Sequence, residues 1–146
     1  MAPSLQFTYI ACGVFLLTGL ITGVWKYYHI HASEEARAPV YVDIAHRSSL
    51  MYSFATLVLA KFVELSPYSE TLTFWSAAAP IIFFALAIAT YVIHGVLKDT
   101  DNQMKRPHKL GAFTLPNWMI ITFMVALAVA EIGGFAILFI GFLSTL

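Results

Sequence analysis

The sequence predicts an all-α fold, an integral membrane four-helix bundle. Three observations predict it. Charged residues make up 11% of the chain, against about a quarter in soluble domains. Apolar residues make up 60%, with a mean hydropathy of +0.78. Apolar runs long enough to cross a bilayer, ~20 residues at ~1.5 Å per residue, recur along the chain. The 146 residues leave no room for a separate soluble domain, so residues 1–146 read as a single four-span transmembrane domain. The formal net charge is zero, so no global field recruits nucleic acid. The single cysteine, Cys12, excludes an intrachain disulfide and any CxxC metal motif and reads as a small packing residue.

The first span is expected at about residues 7–27. Phe7 to Trp25 carry no charge. Ala36-Arg37-Ala38 imitates a signal-peptide cleavage site, but no cationic segment precedes the apolar run and Lys26 follows it, so a membrane helix is the better assignment. Gly19 and Gly23 form a small-xxx-small pair that allows close helix contact. Trp25, Tyr27 and Tyr28 mark an interfacial belt. A charged loop, Ser33 to Arg37, and Pro39 end the element.

The second span is expected at about residues 44–65. It contains His46, Arg47, Lys61 and Glu64. At about 100° per residue, His46, Ser49, Ser53 and Glu64 share one side, a polar stripe that must face protein or water. The third span, about 72–97, holds Pro80 as a first-turn or kink residue and ends with Tyr91 and His94 on adjoining faces. Lys98 to Lys109 is polar, and Pro107 and Gly111 keep it irregular. The fourth span, about 116–146, opens at Pro116, with Asn117 after it as the expected cap, and carries a small-residue seam at Ala126, Ala130 and Gly134 with Glu131 beside it.

Four spans put both termini on one side. Lys26, Arg37, Arg47, Lys98, Lys105, Arg106 and Lys109 fall at the other, leaving only Lys61 elsewhere. By the positive-inside rule that cation-rich side is cytoplasmic and the termini lie outside, as in a bacterial inner membrane. The same topology collects all five histidines, His29, His31, His46, His94 and His108, at the cytoplasmic end. Histidines also sit at membrane interfaces for their amphipathic character alone, which is the plainer account of His29, His31 and His108. Lys61 and Glu131 both lie roughly 21–24 Å from that end at ~1.5 Å per residue. An unpaired charge at that depth is costly, so the two are expected to form a structural ion pair.

The residue types gathered at the cytoplasmic end suit haem. Haem iron accepts neutral imidazole, and an apolar bundle supplies a dry cleft. His46 and His94, on antiparallel helices at similar depth, are the candidate ligands to the iron, with His94 as a possible second ligand. Arg47, Lys98 or Arg106 could meet the propionates, and Tyr52 and Tyr91 could line the distal side as catalytic groups. The absence of CxxCH excludes covalent attachment. A non-haem metal site from His29, His31, His46 and Asp43 or Asp99 is a second possibility. A third is a small non-catalytic or electron-transfer subunit of a larger membrane redox or metalloenzyme complex.

Ala45-His46 opening the second span, Tyr91 near the end of the third, and the Asp-Asn-bearing stretch Asp99 to Gln103 resemble the styrene oxide isomerase family of small four-span membrane proteins. That resemblance implies haem b held by His46, with the ferric iron acting as a Lewis acid on an epoxide oxygen, and Tyr91 on the substrate side. It also implies a homo-trimer with haem between subunits. Two departures stand out. Tyr52 replaces an asparagine six residues after the ligand histidine, and Arg47-Ser48-Ser49 replaces the family's Gly-Pro. The function expected is therefore haem b binding, with an epoxide isomerase-like reaction on a small hydrophobic substrate in the lipid bilayer.

Overall fold

A computed structural model describes residues 1–146. Four long helices follow in order: α1 (Pro3–His31), α2 (Val40–Glu64), α3 (Glu70–Leu97) and α4 (Asn117–Leu143). Between α3 and α4 the chain forms a short antiparallel hairpin, β1 (His108–Leu110) with β2 (Phe113–Leu115), pairing His108 with Leu115 and Leu110 with Phe113. This hairpin was expected to be irregular. Its two-residue turn has Gly111 at φ +59 in the first central position, where hairpin twist favours glycine.

The helices α1, α3 and α4 are long and apolar enough to cross a membrane. The second span expected from sequence is a helix of the right length, but His46, Arg47, Lys61 and the hydroxyls of Ser48, Ser49, Ser53 and Thr56 dilute its hydropathy. It packs between α1 and α3, with Arg47, Met51, Phe54 and Lys61 on its exposed face. Its buried hydroxyls are satisfied by its own carbonyls: Ser49 Oγ donates to Ala45 O at 2.7 Å, Ser53 Oγ to Leu50 O at 2.8 Å, and Thr56 Oγ1 to Tyr52 O at 2.7 Å. A polar helix can therefore sit in an apolar interior without orphaned groups. The expected stripe divides accordingly. Ser49 and Ser53 are buried, His46 is half-buried, and Glu64 is exposed.

Glycines set the close approaches. A Cβ on Gly19 would meet Leu50 Cδ2 at 2.6 Å, and one on Gly23 would meet His46 Cε1 at 2.9 Å, so the Gly19–Gly23 pair is the groove in which α2 rests. The small-residue seam of α4 is displaced from its expected place. Gly134, Leu138 and Gly141 are its buried positions, whereas Ala126 is exposed. Gly134 lies against Ser76 O and the Pro80 ring, and Gly141 against Tyr68 and Pro67. Pro80 sits in the interior of α3, not in its first turn. Lacking an N–H, it cannot take up the Ser76 carbonyl four residues earlier. The core joins Phe15, Leu59, Val63, Ala77, Ile81, Phe84, Ile88 and Leu138 across all four helices. At the end carrying the termini, Glu70 caps the start of α1, accepting from Ser4 N at 2.6 Å and Ser4 Oγ at 3.0 Å.

The expected Lys61–Glu131 pair is not formed. Lys61 is 63% exposed and its Nζ bonds Glu64 one helical turn on, at 2.9 Å. Glu131 Oε1 is buried with no partner, beside Ala55, Val58, Leu59, Pro80 and Phe84. Equal depth is not enough to make two residues partners. The helix α4 packs mainly on α3, so Glu131 enters the α2–α3 groove while Lys61 points outward.

Candidate functional site

The cation-rich end contains two histidine environments, built on different helix pairs. His46 lies on the first and second helices. Its Nδ1 contacts Gly19 O at 2.8 Å. A carbonyl only accepts, so Nδ1 carries the proton and the neutral ring keeps its lone pair on Nε2. Gly23 beneath the ring gives it room to lie against α1. One turn away, Asp43 binds Lys26 of α1 and, at 3.4 Å, Arg47. Arg47 is 75% exposed and otherwise free.

The second environment is centred on His94, near the C-terminus of α3. Its Nδ1 donates to Asp99 Oδ1 at 2.8 Å, and both side chains are 6% exposed. The helix ends at Leu97, two residues before Asp99, with Lys98 in the left-handed conformation at φ 50, its N–H closing on His94 O at 2.8 Å. That turn brings Asp99 back over the histidine ring. The other carboxylate oxygen accepts from Gly111 N at 2.6 Å, tying the hairpin to the end of α3. Burial raises the Asp99 carboxyl, but the Gly111 N–H and then His94 outweigh it and hold it below its ordinary value. Tyr41 covers the ring with centroids 5.0 Å apart, stacks on Tyr91 at 6.1 Å, and accepts from Gln103 N through its hydroxyl.

His94 lines a cleft of about 340 Å³ between α3, α4 and the hairpin, whose walls include Ile93, His108, Leu115, Met119, Phe123 and Met124. Buried His108 is engaged at both nitrogens, by Gln103 O at 3.1 Å and Asn117 Oδ1 at 3.2 Å. It therefore pins the hairpin to the start of α4.

Several expected site residues are not assembled with His46. Tyr52 stacks on Phe84 of α3, centroids 4.4 Å apart, and Tyr91 stacks on Tyr41. Both thus belong to the α2–α3 side, whereas His46 faces α1. Six residues along a helix turn about 240° beyond a full revolution, which carries Tyr52 away from His46. His46 and His94 likewise contact different elements, α1 in one case and Asp99 and Tyr41 in the other. His29 and His31 pack on Tyr28 and Tyr27 of their own helix. No group of three or more His, Cys, Asp or Glu side chains is arranged to hold a metal ion, so the non-haem set is not assembled. Sequence reasoning missed Tyr41 as a bridge and Asp99 as the partner of His94. The available signal was the five-residue spacing across a helix end, too short for any partner but a returning loop. No known protein family, curated protein or solved structure matches the chain.

Proposed function

We propose that the chain is an integral membrane protein that binds haem b through His46, with an isomerase-like reaction on a small apolar oxygenated molecule. One observation carries this: the Nδ1–H of His46 is given to Gly19 O at 2.8 Å, leaving a neutral Nε2 for iron. Ligating histidines are prepared this way, since the second-shell acceptor fixes the tautomer and raises the basicity of the free nitrogen. The His46 donor set therefore fits a haem ligand. Arg47, exposed and held only at 3.4 Å by Asp43, is free to meet a propionate.

Within one chain His94 is turned toward Asp99 and Tyr41, so His46 would be the single histidine holding the group in this assignment. Bound there, ferric haem would supply Lewis-acid polarisation of an epoxide oxygen. The Gly19 carbonyl fixes the Nδ1–H tautomer and orients the imidazole, and Gly23 leaves the ring room against α1. Tyr52 and Tyr91, on the far side of α2, take no direct part within one chain. The cation-rich end is assigned to the cytoplasm and a homo-oligomer to the membrane, the trimer resting on the family resemblance.

The test is an absorption spectrum, oxidised and reduced, of protein purified in mild detergent after expression with haem supplied. A Soret band is expected in the wild type, retained in His94→Ala and lost in His46→Ala while the latter still inserts. A Soret band unchanged in His46→Ala, or absent from the wild type, overturns the assignment. A low-spin bis-histidine spectrum that needs His94 would instead favour an electron-transfer subunit.

A further inference from the structure

The cleft beside His94 is separate from His46 and has a polar point that the protein leaves unused. His94 is 6% exposed. Its Nδ1 proton is given to Asp99, and in that tautomer Nε2 is the ring's acceptor. Nε2 has no hydrogen-bond partner in the protein, yet it is not among the enclosed side-chain atoms left without a partner, which are Ser76 Oγ and Glu131 Oε1, so it keeps some accessible surface. The other histidine of the cleft, His108, is satisfied at both nitrogens. Thr90 also lines the cleft, but its hydroxyl donates to Ala87 O at 2.8 Å. The remaining wall is Ile, Leu, Met and Phe joined by Gln103 and Lys109, with Met104, Met119 and Met124 partly exposed.

We propose that this cleft is a binding site for a small apolar molecule bearing a hydroxyl, a phenol or a long-chain alcohol, whose O–H donates to His94 Nε2. The acceptor character of Nε2 selects a donor over an ether or a plain hydrocarbon. Asp99 keeps the ring in that tautomer from its other side, and Gly111 N holds Asp99 in place. Methionine, unbranched and polarisable, adapts to apolar bodies of varied shape. The volume, about 340 Å³, lies at the lower end of the ~300–1,000 Å³ typical of small-molecule sites. Nothing in this proposal depends on haem.

The probe is radiolabelled 4-hexylphenol, measured on the full chain in lipid nanodiscs with empty nanodiscs as the blank. Unlabelled 4-hexylphenol and hexylbenzene compete, differing only in the hydroxyl. Saturable binding is expected, with hexylbenzene at least tenfold weaker. His94→Phe should abolish that tenfold preference. Met124→Trp, which fills the cleft mouth without touching the His94–Asp99 pair, should remove saturable binding of both, and it decides the matter if His94→Phe fails to insert. His46→Ala should bind hexylphenol as the wild type does, so failure of the haem assignment and failure of this one are told apart. Absence of saturable binding, a preference that survives His94→Phe, or unchanged binding by Met124→Trp would each overturn the proposal.

Discussion

Adjacent glycines in α4 offer a controlled perturbation of the helix contact that seats the fourth span. A Cβ built on Gly134 lies 2.4 Å from Ser76 O, 2.7 Å from Pro80 Cδ and 3.3 Å from Pro80 Cγ. The first is a backbone atom and the others belong to a closed ring, so none can swing aside. Restoring an ordinary 3.4 Å contact from 2.4 Å requires α4 to withdraw by about 1 Å. That movement loosens Leu138, one turn along the same face and fully buried. Overpacking of this kind costs about 1–3 kcal/mol. The gain in helix propensity from replacing glycine by alanine, up to about 1 kcal/mol, offsets only part of it. At Gly133 nothing lies within 4 Å, so the same substitution keeps the propensity gain alone. Gly134→Ala should therefore be less stable than wild type and Gly133→Ala equal or more stable. The assay is reversible unfolding in mixed micelles, followed by tryptophan fluorescence. Gly134→Ala matching Gly133→Ala would refute the close α3–α4 contact.

Three further outcomes are expected. Leu138→Ala should cost about 2–5 kcal/mol in the same unfolding assay, because the side chain is fully enclosed by the core of all four helices. Lys61→Met and Glu131→Gln should be additive in a double-mutant cycle, whereas Lys61→Met and Glu64→Gln should show coupling; a coupled Lys61–Glu131 pair would contradict the helix arrangement. The Asp99 carboxyl is held below its ordinary 3.8 in the folded chain, so its stabilising contribution is complete above that value and is lost as pH falls through the lower folded value. Hydrogen exchange at the Gly111 amide should accordingly be slower in wild type than in Asp99→Asn at pH 6, and the gap should narrow below pH 3.8; a pH-independent gap would count against an ionised Asp99.

Much of the candidate site was legible only one residue at a time. His46 and His94 stand out as imidazoles at the ends of apolar runs, and the alternation of spans brings them to one end of the molecule. Which side of its helix each ring faces is a different matter. It depends on the contact rotation of α2 between α1 and α3, set by glycines 19 and 23 and by the Trp25 ring over Gly95. The same rotation sends Tyr52 toward Phe84, away from His46. The hairpin at 108–115 was hidden because its strands are three residues long, too short to carry a periodic signal.

By itself, the sequence determined the apolar character of this protein's helices, their number and approximate limits and the end at which its cations gather. These follow from local quantities: hydropathy summed over about twenty residues, the fixed rise of a helix, and breakers such as Pro39 and Pro67. Only the tertiary structure decided the partners. It gave Lys61 to Glu64, left Glu131 without one, moved the working seam of α4 to Gly134, Leu138 and Gly141, and folded Asp99 back onto His94. The physical reason is that depth along a helix is additive in sequence, whereas the direction a side chain faces depends on which neighbour's groove the helix occupies, and that is settled by packing over the whole bundle.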